Sequence, residues 1–447
     1  SNFIMITIDA SPKASSHLKT LQRIGHTLNT AISDIIDNSI TAKATIIKIY
    51  FDYTESTIKI EDNGIGMLRN ELHDNMIIGC KDPLQKRDKS DLGRFGSGMK
   101  MASFSQAHKL VVLSKKSNEI NGILYDVDEI YKTDKWQMHQ LEKKEIDDYD
   151  FGHDIESGTT VIWKNLIKFQ RISQSEIEDE FGSDADSLIK HIALHFHKFI
   201  SGPKSIKILV NNIAIDPIDP FFKNNKGYQE GPIEQHYTSG GKIVVKTHII
   251  PHHDYMTKSE IENYGGLDKI EDGQGIYVYR ERRLILYGGW MGLKPRNTIA
   301  RLARIEVEVP SSLDHEWSTD VKKSEMQFPS KAKRLIKHLI SQPIERSKKE
   351  YVYRGKKEEN NKFWFLRNNE RTSDLTYLAD PKNSQLKNIL QDVSCDKRRE
   401  ILEYLKELSK SLPLNSIHEK MSSNAKQIRQ DDDDNLSCIL KMLEGNQ

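Results

Sequence analysis

The chain has 447 residues and a near balance of 66 lysines and arginines against 65 aspartates and glutamates, so any cationic surface has to be local. No apolar run approaches the ~20 residues of a membrane span, and the length predicts about two to four domains. Cys80, Cys395 and Cys438 are too scattered for a disulfide framework or a cysteine-rich zinc site, which fits a reducing cytoplasm.

Residues 3–8 read as a short strand or arm, and 17–42 as helix broken near Gly25. Leu28, Ile32, Ile35 and Ile36 form its apolar stripe. Residues 45–52 and 56–61 predict a hairpin that ends in the polar turn Asp62-Asn63-Gly64-Ile65-Gly66-Met67. A charged stretch, 81–91, leads to Gly93-Arg94-Phe95-Gly96-Ser97-Gly98 and a helix over 99–107. Strands are predicted at 110–114, 122–127 and 157–163. From about Ser173 a second region begins, with a helix over 184–200 and a hairpin turned at Asn211-Asn212. Strands follow at 242–250, 275–279, 284–287 and 304–309, then a helix over 331–340 that continues beyond Pro343. The tail is polar and loop-rich around Phe363-Trp364-Phe365, with a helix over 397–411.

Four stretches carry chemistry. Asp34 and Asn38 lie one helical turn apart, where a carboxylate can take a proton from water and a carboxamide oxygen can bind a hard cation. A solvated pair is the alternative. Asp62 can accept from an exocyclic amine, while Gly64 and Gly66 let the backbone approach a flat ring; an ordinary glycine turn is the alternative. Gly93 to Gly98 can cradle phosphates at a helix start. Met99 stands where a Walker loop needs lysine, although Lys100 is within reach of a phosphate; a hinge is the alternative. Thr159 can meet an adenine edge through water, or simply favour a strand.

In this order, over residues 17–165, the motifs resemble the GHKL ATPase family of gyrase B subunits, ninety-kilodalton heat-shock chaperones, histidine kinases, MutL and MORC proteins. The resemblance implies an α/β Bergerat-fold sandwich binding Mg²⁺–ATP under a mobile lid. By it Asn38 would hold Mg²⁺, Asp62 with Gly64, Gly66 and Met67 would receive adenine, and Thr159 would support that end. Gly93, Phe95, Gly96, Gly98 and Lys100 would enclose the phosphates, residues 81–91 would form part of the lid, and Asp34 would be the general base. Residues 275–285 look like a MORC strand–turn–strand, and 317–325 resemble the transducer loop that sends a lysine to the γ-phosphate. Lys323 is the expected sensor, with Lys322 next. The implied organisation is an ATP-binding domain at 1–170, a transducer-like domain of the ribosomal S5 type at 171–345, and a mainly helical region at 346–447. The likeness is closest to MORC-like prokaryotic ATPases.

Two positions depart from the pattern. Asp34 stands where the family usually has Glu, and Thr41 where Asp is common, so slow turnover is expected. The implied partners are a second copy joined on ATP binding, a nuclease or effector protein, and DNA, in restriction or anti-phage defence. DNA would bind along the stretch from Lys331 to Lys357, with ten Lys/Arg against two Glu, and from Arg280 to Arg304, where cations alternate with aromatics. Interdomain ion pairs are the alternative for those cations. A non-hydrolysing nucleotide switch or scaffold, and a chaperone of the ninety-kilodalton heat-shock type, are the competing functions.

Overall fold

Alternating apolar and polar residues build the first sheet of the computed structural model, because side chains on a strand face opposite sides in turn. Its strands are β1 (Ile46–Asp52), β2 (Thr57–Asp62), β3 (Ala107–Lys116), β4 (Glu119–Asp126), β5 (His139–Gln140), β6 (Gly158–Leu166), β7 (Lys207–Val210) and β8 (Ile213–Ala214). They lie in the order β5-β4-β3-β6-β2-β1-β7-β8, antiparallel except for β1 beside β7. On β3, Leu110 and Val112 face the main core, while Val111 and Leu113 join a smaller cluster on the other side. The structure describes residues 13–23, 26–77, 98–149, 151, 155–238, 241–296, 300–313, 330–352, 363–368, 375–380 and 382–412.

The main core is closed by α1 (Ala14–Arg23), α2 (Leu28–Thr41), α3 (Arg69–Met76), α4 (Gly98–Gln106), α5 (Val127–Thr133), α7 (Gln174–His195) and α8 (His197–Ile200); α6 (Lys143–Asp147) serves the smaller cluster. Helix α7 starts well before the predicted residue 184. Ser173 accepts from the Glu176 amide and Glu176 caps back onto Ser173, a reciprocal pair strong enough to carry helix through Gly182. The hairpin at Asn211-Asn212 forms as expected, both residues at positive φ. It joins the first sheet through β7, so that sheet extends past residue 170.

A second sheet in the same compact unit, Ser1–Lys348, runs β12-β11-β13-β10-β9. Its members are β9 (Gln229–Thr238), β10 (Gly241–Ile249), β11 (Gly275–Arg280), β12 (Arg283–Tyr287) and β13 (Ala303–Val309), with α9 (Lys258–Tyr264) and α10 (Leu267–Asp272) between β10 and β11. Leu194 of α7 packs against Phe221, Tyr277, Tyr279 and Leu284. Beside them Lys198 of α8 bridges Glu306 and Glu308 of β13. Burial opposes charge on Glu306, yet the hydrogen bond from His248 and the Lys198 and Lys223 ammoniums hold its pKa far below the usual range. Helices α11 (Ser330–Leu339) and α12 (Ser341–Val352) follow, with Pro343 in the first turn of α12, where its missing N–H is not needed.

The unit Lys349–Gln447 holds a hairpin of β14 (Trp364–Asn368) and β15 (Leu375–Ala379), then α13 (Ser384–Gln391) and α14 (Cys395–Lys410). The expected loop around Trp364 is therefore a strand: aromatic and branched residues pair across the turn despite polar flanks.

Candidate functional site

Helix α2 begins at Thr27, whose hydroxyl accepts from the Thr30 amide. Ala31, Ile32, Ile35 and Ile36 are buried against the sheet, which turns Asp34 and Asn38 to the more open edge. The Asn38 carboxamide is exposed and makes no hydrogen bond among the described residues. Asp34 lies 3.9 Å from His26 Nδ1. A Cβ added at Gly98, the first residue of α4, would sit 3.6 Å from Asp34 Oδ2. The end of the glycine-rich loop thus reaches the carboxylate directly. Burial raises the Asp34 pKa, while Arg283 and His26 pull it down.

At the other end of the cluster, Asp62 closes β2 with its carboxylate buried. Oδ2 accepts from the Ser39 hydroxyl at 2.8 Å, and Oδ1 from the Gly64 amide at 2.8 Å and the Thr159 amide at 3.3 Å. Burial raises the Asp62 pKa and those three donors oppose it. The turn is clamped between α2 and the strands behind it. Ile65 N donates to Ala42 O at the end of α2, Ser157 Oγ to Gly64 O, and Met67 N to Ser114 Oγ. Gly66 has φ +65°, and a Cβ there would come within 1.9 Å of Lys115 O. No side chain fits at that point. Thr159 reaches this region twice, by its amide to Asp62 and by its hydroxyl to Ser114 at 2.9 Å.

The structure therefore brings Asp34, Asn38, Asp62, Gly64, Gly66, Met67, Gly98 and Thr159 to one end of the sheet. The Lys100 side chain is buried and its ammonium donates to Asn75 O at 2.6 Å and Ile77 O at 2.7 Å, at the end of α3. Gly93, Phe95, Gly96, the stretch 81–91, Lys322 and Lys323 lie outside the described residues.

Three further residues belong to the cluster. Ser39 holds Asp62 from α2, Ser114 ties Met67 to Thr159, and Arg283 of β12 contacts Asp37 Oδ2 and lies 4.0 Å from Asp34 Oδ1. A polar residue on the buried side of an amphipathic helix was a readable signal for Ser39. Nothing local marked Arg283.

Of the arginines expected on a DNA-binding surface, Arg304 is buried, Arg301 half-buried and Arg282 exposed. Arg304 is fully buried on the carbonyls of Pro220 and Ile270, Arg301 pairs with Glu271 at 2.8 Å, and Arg282 donates to Lys198 O. Tyr277, Tyr279 and Trp290 are core. Arg304 and Arg301 are engaged within the second-sheet region, whereas the Arg282 side chain stays exposed.

Residues 26–159 match the family described as "Histidine kinase-, DNA gyrase B-, and HSP90-like ATPase". They span α2, the Asp62 turn and Thr159, and they form a GHKL-type ATPase domain on a mixed α/β Bergerat-type fold. The chaperone protein HtpG of Helicobacter hepaticus is 42% identical over 83 residues, 16% of this chain and 13% of the chaperone. HtpG of Enterobacter sp. (strain 638) is 26% identical over 234 residues, 40% and 37% of the two chains. HtpG of Escherichia coli (strain K12) is 28% identical over 198 residues, 34% and 31%. The chain spans at most 37% of the length of these curated relatives. Among the described residues, no helix is long and apolar enough to cross a membrane.

Proposed function

We propose that the chain is an ATP-hydrolysing conformational clamp. One observation carries this reading: a buried acceptor, Asp62, lies at the same end of the sheet as an open Asp34/Asn38 helix edge that touches the start of α4. Asp62 still has lone pairs for an exocyclic amine, and Gly64, Gly66, Met67 and Thr159 shape the floor beneath the base. Asn38 offers its unengaged oxygen to Mg²⁺, which when bound offsets phosphate charge. Gly93, Phe95, Gly96 and Gly98 enclose the phosphates, and Lys323, or Lys322, meets the γ-phosphate. Asp34 takes the proton of the attacking water.

Asp is one methylene shorter than Glu, so turnover is expected below the ~10 s⁻¹ typical of enzymes. Asp34→Asn should bind a fluorescent ATP analogue as tightly as wild type and lose hydrolysis by ~100-fold or more. Hydrolysis at the wild-type rate would remove Asp34 from its role.

The organisation we propose is 1–170, 171–345 and 346–447, with two protomers joining on ATP. A MORC- or MutL-type action on DNA, in restriction or defence with a nuclease or effector partner, is supported by the exposed Arg334 and Lys337 of α11, within the basic stretch from Lys331 to Lys357. A chaperone activity is the second reading, favoured by the HtpG relatives. Stimulation of ATPase by DNA supports the first; suppression of client aggregation with no DNA effect supports the second.

A further inference from the structure

Arg283 opens β12 at the edge of the second sheet, yet its guanidinium is spent on the first. Nη1 contacts Asp37 Oδ2 and stands 4.0 Å from Asp34 Oδ1, so one cation serves two carboxylates a helical turn apart on α2. The guanidinium carbon lies 5.0 Å from the centre of the Phe196 ring, at the junction of α7 and α8, which fixes its approach. Neighbouring contacts hold the same hairpin in place. His195 Nδ1 hydrogen-bonds Leu284 O at 2.6 Å, and Ser33 of α2 bonds His191 of α7 at 3.0 Å. A continuous path of polar contacts therefore runs from α2 through α7 to β12 and back to α2.

A surface ion pair would mean little here, since exposed pairs contribute almost nothing. This one is different in placement. Asp37 is buried and, among the described residues, neither its Oδ1 nor the buried Arg283 Nε has a hydrogen-bond partner. An arrangement chosen for stability alone would satisfy those atoms or replace them with apolar groups. The desolvation of Asp34 also works against its charge, and Arg283 is the largest influence restoring it.

We infer that Arg283 is a positioning residue for the hydrolytic carboxylate: it holds Asp34 and Asp37 from the second sheet, so the hydrolytic centre is complete only while β12 is seated on α2. The inference rests on the ATPase reading above and deepens it. In this role Arg283 acts through the two aspartates that it contacts. A carboxylate displaced by ~1 Å loses ~100-fold in rate.

The test compares Arg283→Gln, Arg283→Lys and Arg282→Gln in the full chain. Arg282 is the control, because it crosses the same seam to Lys198 O and leaves α2 untouched. Binding of a fluorescent ATP analogue, kcat, KM for Mg²⁺–ATP and thermal melting are read for each. Arg283→Gln is expected to lower kcat ~10–100-fold with nucleotide affinity and KM within about twofold of wild type. Arg283→Lys should recover part of kcat, and Arg282→Gln should retain it. The inference is overturned if Arg283→Gln keeps wild-type kcat, if it raises KM alone, or if Arg282→Gln loses kcat equally. If Arg283→Gln does not fold, Arg283→Lys decides: kcat down with unchanged affinity supports the inference, and unchanged kcat overturns it. No analogue binding by wild type would remove the ATPase reading itself, and the inference with it. Binding and turnover by wild type with insensitive Arg283 variants would remove the inference alone.

Discussion

Asp62 is the residue on which the adenine assignment depends, and its environment explains why a carboxylate is used there. Three donors converge on two oxygens in a buried position, which keeps the group oriented for one further donor. Asp62→Asn presents an NH₂ where one of those acceptors stood. ATP-analogue affinity is expected to fall ~10–100-fold, the size of a hydrogen bond to a charged group, with a smaller change in melting temperature. Equal affinity, measured by titration, would place the base elsewhere. His191 makes a separate prediction. Burial, with a small contribution from His195, lowers its pKa to about 3, so the folded state excludes a proton that the unfolded state binds below about 6.5. This stability is complete above pH 6.5 and is lost as the pH falls towards 3. His191→Gln keeps a partner for Ser33 and removes the titration. Its drop in stability between pH 7.5 and 5 should be smaller than that of wild type by about 2 kcal/mol, read by denaturant titration at both pH values.

At the scale of elements, α2 and its two neighbours were legible because each carries its own local signal. The apolar stripe from Ile32 to Ile36 specified a helix within 17–42, the structure starts it after a cap at Thr27, and the Asp62-to-Met67 turn announced itself by two glycines after a hairpin. Gly182 opposes helix propensity just before the expected start of α7 at residue 184, while the Ser173–Glu176 cap and the burial of Ile177 and Phe181 outweigh it. This has a direct test. A Cβ at Gly182 would meet nothing within 4 Å, so Gly182→Ala should stabilise the chain by ~0.5–1 kcal/mol in denaturant titration. A loss of stability would mean that the chain is not helical there. Gly66 is the opposite case, a glycine required by both φ and the adjacent Lys115 carbonyl.

At the scale of the whole molecule, two sheets share a seam of buried charge. The Lys198–Glu306 pair and Arg283 on α2 both depend on the two halves being present. In the clamp proposed above, such a seam would couple the two halves when nucleotide binds. Size-exclusion chromatography with light scattering should show monomer alone and dimer with a non-hydrolysable Mg²⁺–ATP analogue; an unchanged mass would remove the clamp.

The sequence by itself determined the helix that carries Asp34 and Asn38, through short-range periodicity, and the order of four motifs, whose resemblance to the GHKL family implied the ATPase domain. Only the tertiary structure decided that the Lys100 ammonium donates to carbonyls at the end of α3, and that Trp290 and Arg304 are buried while Arg282, Tyr287 and Arg296 are exposed. It alone joined Arg283 to Asp34 and Asp37, across more than two hundred residues of chain. The physical reason is that a long cation's role is set by whichever carboxylate, carbonyl or solvent its end meets, and that neighbour comes from elsewhere in the fold.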